Sequence, residues 1–127
     1  MESEYLLDTN ILIYYTKGSE SARHLIDDLT LRHTLNISIL TKIEFLGWDK
    51  HTAEGYETCK ELIEYATIYP LDKNVSDKAI ELKRSSKIKL ADAVIAATAL
   101  VNDLKLVTKN IDDFAKIEGL EVVNILE

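Results

Sequence analysis

The sequence predicts an α/β fold, a three-layer α/β/α sandwich around a central parallel sheet of four to five strands, and three observations carry that expectation. Short apolar runs of strand length alternate with longer stretches of helical period. Capping and breaking residues such as Thr9, Asn10, Pro70 and Gly119 bound these runs. Each strand is followed by a helical stretch, the crossover that parallel neighbours require. With 127 residues, 46% of them hydrophobic and 29% charged, one compact domain over 1–127 can bury its own core.

Tyr5-Leu6-Leu7 reads as a buried strand ending at Asp8. Ile11, Leu12, Tyr14 and Tyr15 begin a helix that Thr9 or Asn10 caps. A second helix is expected from Glu20 to Leu31, where Ala22, Leu25, Ile26 and Leu29 share a face. Leu35 to Ile39 alternates and is β-branched, so it reads as the next strand. From Thr41 the period is helical through Ile43, Phe45, Leu46 and Trp48, and after a break near Lys50 a further helix carries Tyr56, Cys59, Leu62, Ile63 and Ala66. Thr67-Ile68-Tyr69 is a strand closed by Pro70. Helices follow at Asn74–Ser85 and Leu90–Asn102, then strands at Leu104–Val107 and Val122–Ile125, with a short helix from about Asp112 to Ile117 and Gly119 between them.

Several function classes fall away. The acidic start, Met1-Glu2-Ser3-Glu4, lacks a secretory leader's basic and apolar regions. No apolar run reaches the roughly eighteen residues of a membrane helix. Cys59 is the single cysteine, so no internal disulfide or thiolate metal site is expected and the cytoplasm is the natural compartment. His24, His33 and His51 are scattered without zinc-site pairing and are expected at the surface. Four glycines leave no phosphate-cradling loop, so no nucleotide cofactor is indicated. The net charge of −7 opposes broad attraction to nucleic acid. Lys83, Arg84, Lys87 and Lys89, however, cluster just before Asp92, where a solvated helix end explains them as well.

Acidic residues recur where strands or loops give way to helices: Asp8, Glu44 in Thr41-x-x-Glu44, Asp92 in Leu90-Ala91-Asp92, and Asp113 in Asn110-x-x-Asp113. Ligands of parallel sheets bind beyond the carboxyl ends of the strands. Asp8, Glu44 and Asn110 to Asp113 follow predicted strands and are therefore drawn to one edge. Glu44 has an alternative role in a capping box, and Asp113 in a weaker one. Asp92 sits in a helix apolar nearly all round, and Asp8 ends an apolar strand, so each needs a partner or a cation. Carboxylates gathered without a base repel by about 4 kcal/mol per close pair at an effective dielectric near 20. Oxygen ligands of this kind suit Mg²⁺ or Mn²⁺.

The chain resembles the PIN-domain ribonucleases, most closely the VapC-type toxins of toxin–antitoxin pairs. The likeness runs from Leu7-Asp8-Thr9-Asn10 through Ser38-x-x-Thr41-x-x-Glu44-Phe45 and Lys89-Leu90-x-Asp92-Ala93 to Thr108-x-Asn110-x-x-Asp113-Phe114. It implies a metal-dependent endoribonuclease hydrolysing RNA phosphodiester bonds, with Asp8, Glu44 and Asp92 as metal-binding acids and Asp113 as an outer member. Many relatives place an acid where Asn110 stands, so Asn110 and Asp113 both stay open for the fourth position. Thr9, Asn10, Thr108 and Asn110 would orient these groups by hydrogen bonds. The resemblance further implies Mg²⁺ or Mn²⁺, an RNA substrate, a cognate antitoxin and a homodimer or toxin–antitoxin hetero-oligomer. Tyr14, Tyr15, Phe45 and Trp48 flank the expected site and have two readings, an apolar groove for the antitoxin or, as is more common at helical spacing, packing into the core.

Two alternatives differ in class. A Mg²⁺-binding phospho-receiver domain needs an acidic pair after its first strand, where this chain has a lone Asp8, and a lysine, usually followed by proline, after its last, whereas the only proline here is Pro70. A non-catalytic PIN-type RNA-binding or scaffold protein keeps the fold without the activity.

Overall fold

The computed structural model describes residues 4–124. Five strands, β1 (Tyr5–Leu7), β2 (Asn36–Ser38), β3 (Thr67–Tyr69), β4 (Lys105–Val107) and β5 (Val122–Val123), form one sheet in the order β3-β2-β1-β4-β5, with every pair parallel. Seven helices connect them: α1 (Thr9–Thr16), α2 (Glu20–Leu31), α3 (Ile39–Leu46), α4 (Ala53–Ile63), α5 (Lys73–Ser85), α6 (Leu90–Val101) and α7 (Ile111–Phe114).

Alternation along the strands builds the layers. Leu6 and Leu106 enter one core with Val75, Ala79 and Leu82 of α5, Ala93 to Ala97 and Ala99 of α6, and Phe114. Leu7 and Val107 point the other way, into a core with Ile11, Leu12, Ala22, Ile26, Leu29, Phe45, Cys59 and Ile63. The helices α1–α4 therefore cover one face and α5–α7 the other, as expected of the three-layer class.

Boundaries moved where a capping side chain competes with strand propensity. Ile39 belongs to α3 rather than to the preceding strand, because the Ser38 hydroxyl accepts the amide of Thr41 at 3.0 Å and starts the helix two residues early. Thr41-x-x-Glu44 consequently lies inside the helix and forms no capping box. Asp8 itself caps α1 through the amide of Thr9, the role expected of Thr9 or Asn10. The helix α4 ends at Ile63, short of Ala66. The helix α7 is a single turn at Ile111–Phe114, with no side chain capping it. Gly119, at φ 85°, makes the turn that returns the chain to β5. The strand expected to reach Ile125 ends at Val123, and Ile125 lies outside the described residues.

The order of connections reverses at β1. From it the chain moves outward through β2 to β3 and then returns to place β4 on the other side. A crevice opens at such a point beyond the carboxyl ends of the two central strands. Asp8 follows β1 and Thr108 follows β4.

Candidate active site

Asp8 is buried at 6% exposure. Its Oδ1 accepts the Thr9 amide and its Oδ2 accepts the Thr108 hydroxyl, each at 2.8 Å. Thr108, fully buried, accepts the Asn110 amide at 3.0 Å, so its one proton is left to point at Asp8. Burial lifts the Asp8 carboxyl from 3.8 to about 6. The hydrogen bonds from Thr108 and Thr9 oppose that lift, and the charges of Asp92 and Glu44 add to it.

Glu44 projects from α3 and is exposed, but the Thr9 hydroxyl donates to its Oε1 at 2.6 Å. Asp92 stands half-buried in the first turn of α6. Burial raises its pKa, the charges of Asp113 and Glu44 raise it further, and Lys89 lowers it. Asn10 accepts the Lys109 amide at 3.4 Å and ties α1 to the loop after β4.

These residues line one cavity of about 330 Å³: Asp8, Thr9, Asn10, Glu44, Asp92 and Asn110 as its polar part, with Ile13, Trp48, Ala91 and Ile95 as its apolar wall. Asp113 is placed differently. It is exposed and lines a neighbouring cleft of about 770 Å³ between α5, the following loop and α7. In that cleft Lys78, Lys87 and Lys116 face Glu81, Asp112, Asp113 and Glu118, so the basic window before Asp92 creates no uniformly positive surface there. Asp113 still acts on the site, since its charge is the strongest carboxylate influence on Asp92.

The donor chemistry of the cavity fits a hard divalent cation. Its polar groups are carboxylates, hydroxyls and amides, no lysine, arginine or histidine lines it, and the buried Asp8 is held well above the ordinary carboxylate range. Among the described residues, however, no three His, Cys, Asp or Glu side chains already stand as one ligating group.

Sequence reasoning missed two parts of the site. Thr41, expected to cap a helix, and Ser38 stand behind Thr9 as buried hydroxyls; their three-residue spacing was the visible signal. The expected groove is also altered. Phe45 is fully buried in the core beside α1, and only Trp48 of the four aromatic residues lines the cavity. His24 and His33 are exposed as expected, whereas His51 is half-buried, with a ring nitrogen 2.7 Å from the Phe45 carbonyl and its ring edge-on to Phe45, Trp48 and Tyr56.

Comparison with known proteins gives consistent findings. The family model of the PIN domain matches residues 5–120. Over 121 residues, 91% of this chain and 90% of the relative, the sequence is 31% identical to Ribonuclease VapC10 of Mycobacterium tuberculosis. The fold matches a chain of a toxin–antitoxin complex from Klebsiella pneumoniae with a TM-score of 0.81 at 29% identity, over 98% of this chain and 99% of that one. It matches a chain of DNA-bound VapBC from Salmonella typhimurium with a TM-score of 0.81 at 24% identity, over 96% and 98%, a likeness of fold alone.

Proposed function

The chain belongs to the PIN-domain family, and from that premise we propose that it is a Mg²⁺- or Mn²⁺-dependent endoribonuclease acting as the toxin of a toxin–antitoxin pair. Membership removes the phospho-receiver alternative. The observation that carries the reading is the acidic cavity at the reversal point of the sheet, which Asp8, Glu44 and Asp92 line with no basic side chain among the described residues beside them. Its relatives include a ribonuclease over nine-tenths of the chain and a member of a toxin–antitoxin complex.

In this reading Asp8, Glu44 and Asp92 hold the cation, and Asn110 or Asp113 completes the set. When bound, the ion supplies Lewis acidity that acidifies water and offsets charge developing on the phosphate. The protein's own residues do the rest. Thr108 and the Thr9 amide fix both oxygens of Asp8, and the Thr9 hydroxyl holds Glu44 at the cavity mouth. Ile13, Trp48 and Ile95 give the cavity an apolar wall that limits competing water. No histidine lines the cavity, and Asp8, whose carboxyl burial lifts to about 6 without a cation, gains from a cation that favours its charged form.

An antitoxin fits the surface beside the site. Ile43, Leu71 and Leu90, exposed at 61%, 51% and 67%, line one apolar hollow with Ala91, which also lines the acidic cavity. An adjoining hollow adds Ile80. Exposed apolar area of this kind marks a protein-binding face, and an assembly with antitoxin or with a second copy would cover it. No helix among the described residues is long and apolar enough to cross a membrane. A cytoplasmic place of action fits the lone, buried, free Cys59 thiol.

The test incubates antitoxin-free protein with total RNA in Mg²⁺ or Mn²⁺, with EDTA and an Asp8→Asn, Asp92→Asn double variant as controls, and maps fragment ends by sequencing. Discrete cleavage that vanishes in both controls is expected. Absence of cleavage in protein that binds Mn²⁺ by calorimetry would instead favour a non-catalytic RNA-binding or scaffold role.

A further inference from the structure

Glu44 presents a problem of position. It is exposed, its side chain has three rotatable bonds, and fixing such a chain costs up to about 2 kcal/mol of rotamer entropy. Nevertheless it is held by a single hydroxyl at 2.6 Å.

Behind that hydroxyl lie two more. Thr9 Oγ1 is 3.1 Å from Thr41 Oγ1, and Thr41 Oγ1 is 3.3 Å from Ser38 Oγ. Thr41 is fully buried and Ser38 is 1% exposed. The direction of the protons follows from what each group can do. An ionised carboxylate only accepts, so the single Thr9 proton goes to Glu44. Thr9 then accepts from Thr41, and Thr41 accepts from Ser38, whose oxygen is engaged by the Thr41 amide. All three protons point toward the carboxylate, and bonds aligned in this way strengthen one another by roughly 10–30%.

The geometry is built into the fold. Ser38, Thr41 and Glu44 are spaced by three along the start of α3 and so share a face, and Thr9 enters from the start of α1. Thr41 lies in the first turn of α3, where its own helix offers no carbonyl four residues back. Thr30, Thr58 and Thr98 each donate to the carbonyl four residues back in their own helix. Thr41 directs its hydroxyl across to another helix instead.

We infer that Ser38 and Thr41 are positioning residues, forming with Thr9 a buried hydroxyl chain that holds the Glu44 carboxylate at the cavity. This rests on the reading of Glu44 as a cation ligand.

The test is a double-variant cycle on the full chain, with Mn²⁺ affinity read by calorimetry and folding by thermal melts. Thr41→Val keeps the shape and removes the hydroxyl, and is expected to weaken Mn²⁺ binding by roughly 10- to 100-fold, the range for outer partners of metal ligands. Thr41→Ser restores the hydroxyl and the affinity. In a Glu44→Gln background Thr41→Val should add little, because its effect passes through Glu44. Ser38→Ala, at the far end, should cost less than Thr41→Val. Unchanged affinity in Thr41→Val, no rescue by Thr41→Ser, or an equal loss in the Glu44→Gln background would overturn the inference while Mn²⁺ binding by the parent protein still stands. A parent protein that binds no Mn²⁺ would overturn the metal reading and this inference with it.

Discussion

The two halves of the cavity are built differently. Asp8 and Glu44, on the side of β1, α1 and α3, accept hydrogen bonds from Thr108, from the Thr9 amide and from the Thr9 hydroxyl. Among the described residues, Asp92 and Asp113, on the side of α6 and α7, accept none from any side chain, and Lys89 at the start of α6 supplies no side-chain cap. One half is held in place and the other is free to adjust. Asp8, the most deeply buried of these acids, is raised to about 6 by burial and neighbouring charge against the hydrogen bonds that hold it, whereas Glu44, Asp92 and Asp113 keep more contact with water.

The largest expected effect breaks the held half. Asp8→Asn should abolish Mn²⁺ binding and RNA cleavage, yet stabilise the metal-free protein at pH 7. The Asp8 carboxyl titrates at 3.8 when unfolded and about 6 when folded. That gap, at about 1.4 kcal/mol per unit, is roughly 3 kcal/mol. Because the folded pKa is raised, the penalty is absent below 3.8, grows as pH rises and is complete above about 6. Urea unfolding without metal should therefore show parent stability falling between pH 4 and 7, and this fall should shrink in Asp8→Asn. A variant less stable than the parent across that range would show that the carboxylate is structural and not strained.

Next in size is removal of a support. Thr108→Val leaves Asp8 Oδ2 without its donor and the Asn110 amide without its acceptor. Buried groups left unpaired in this way cost about 1–3 kcal/mol of stability. Mn²⁺ affinity should fall by roughly 10- to 100-fold. Calorimetry and thermal melts measure both. An affinity equal to the parent's would mean that Asp8 is placed by the turn at Thr9 alone, and the contrast between the halves would weaken.

What the sequence disclosed follows the same division. The layers were legible because hydrophobic period changes cleanly between strands and helices, and Asp8 stood out because an apolar strand ends in an acid. The β2–α3 boundary was not, since Ile37, Ile39 and Ile43 suit either state and a single hydroxyl, Ser38, decides it. Thr9 and Thr41 carried a local explanation as capping residues, whereas their actual partners lie 35 and 32 residues away in sequence. Phe45 looked like groove and is core, fully buried with Ile11, Leu12 and Ile37. The short helix α7 has no capping side chain to announce it, and the choice between Asn110 and Asp113 stayed open because the resemblance allows an acid at either position.

The smallest expected effect resolves that choice. Asn110 lines the cavity and Asp113 lines the adjoining cleft, one helical turn further on, with its amide donating to the Asn110 carbonyl at 3.1 Å. Asp113 reaches the site through charge. Its removal has two opposed consequences: Asp92 becomes easier to ionise, which favours a cation at low pH, while the total negative charge drawing a cation falls at every pH. Above the range where Asp92 titrates only the second survives. Where Asp92 is ionised, Asp113→Asn should then weaken Mn²⁺ binding by about 1.4- to five-fold, since exposed charge interactions contribute roughly 0.2–1 kcal/mol, and the loss should shrink as pH is lowered into the range where Asp92 takes up its proton. Asn110→Ala removes an uncharged oxygen, so its loss should be independent of pH. A loss in Asp113→Asn as large as in Asp92→Asn, and constant with pH, would instead make Asp113 a direct ligand.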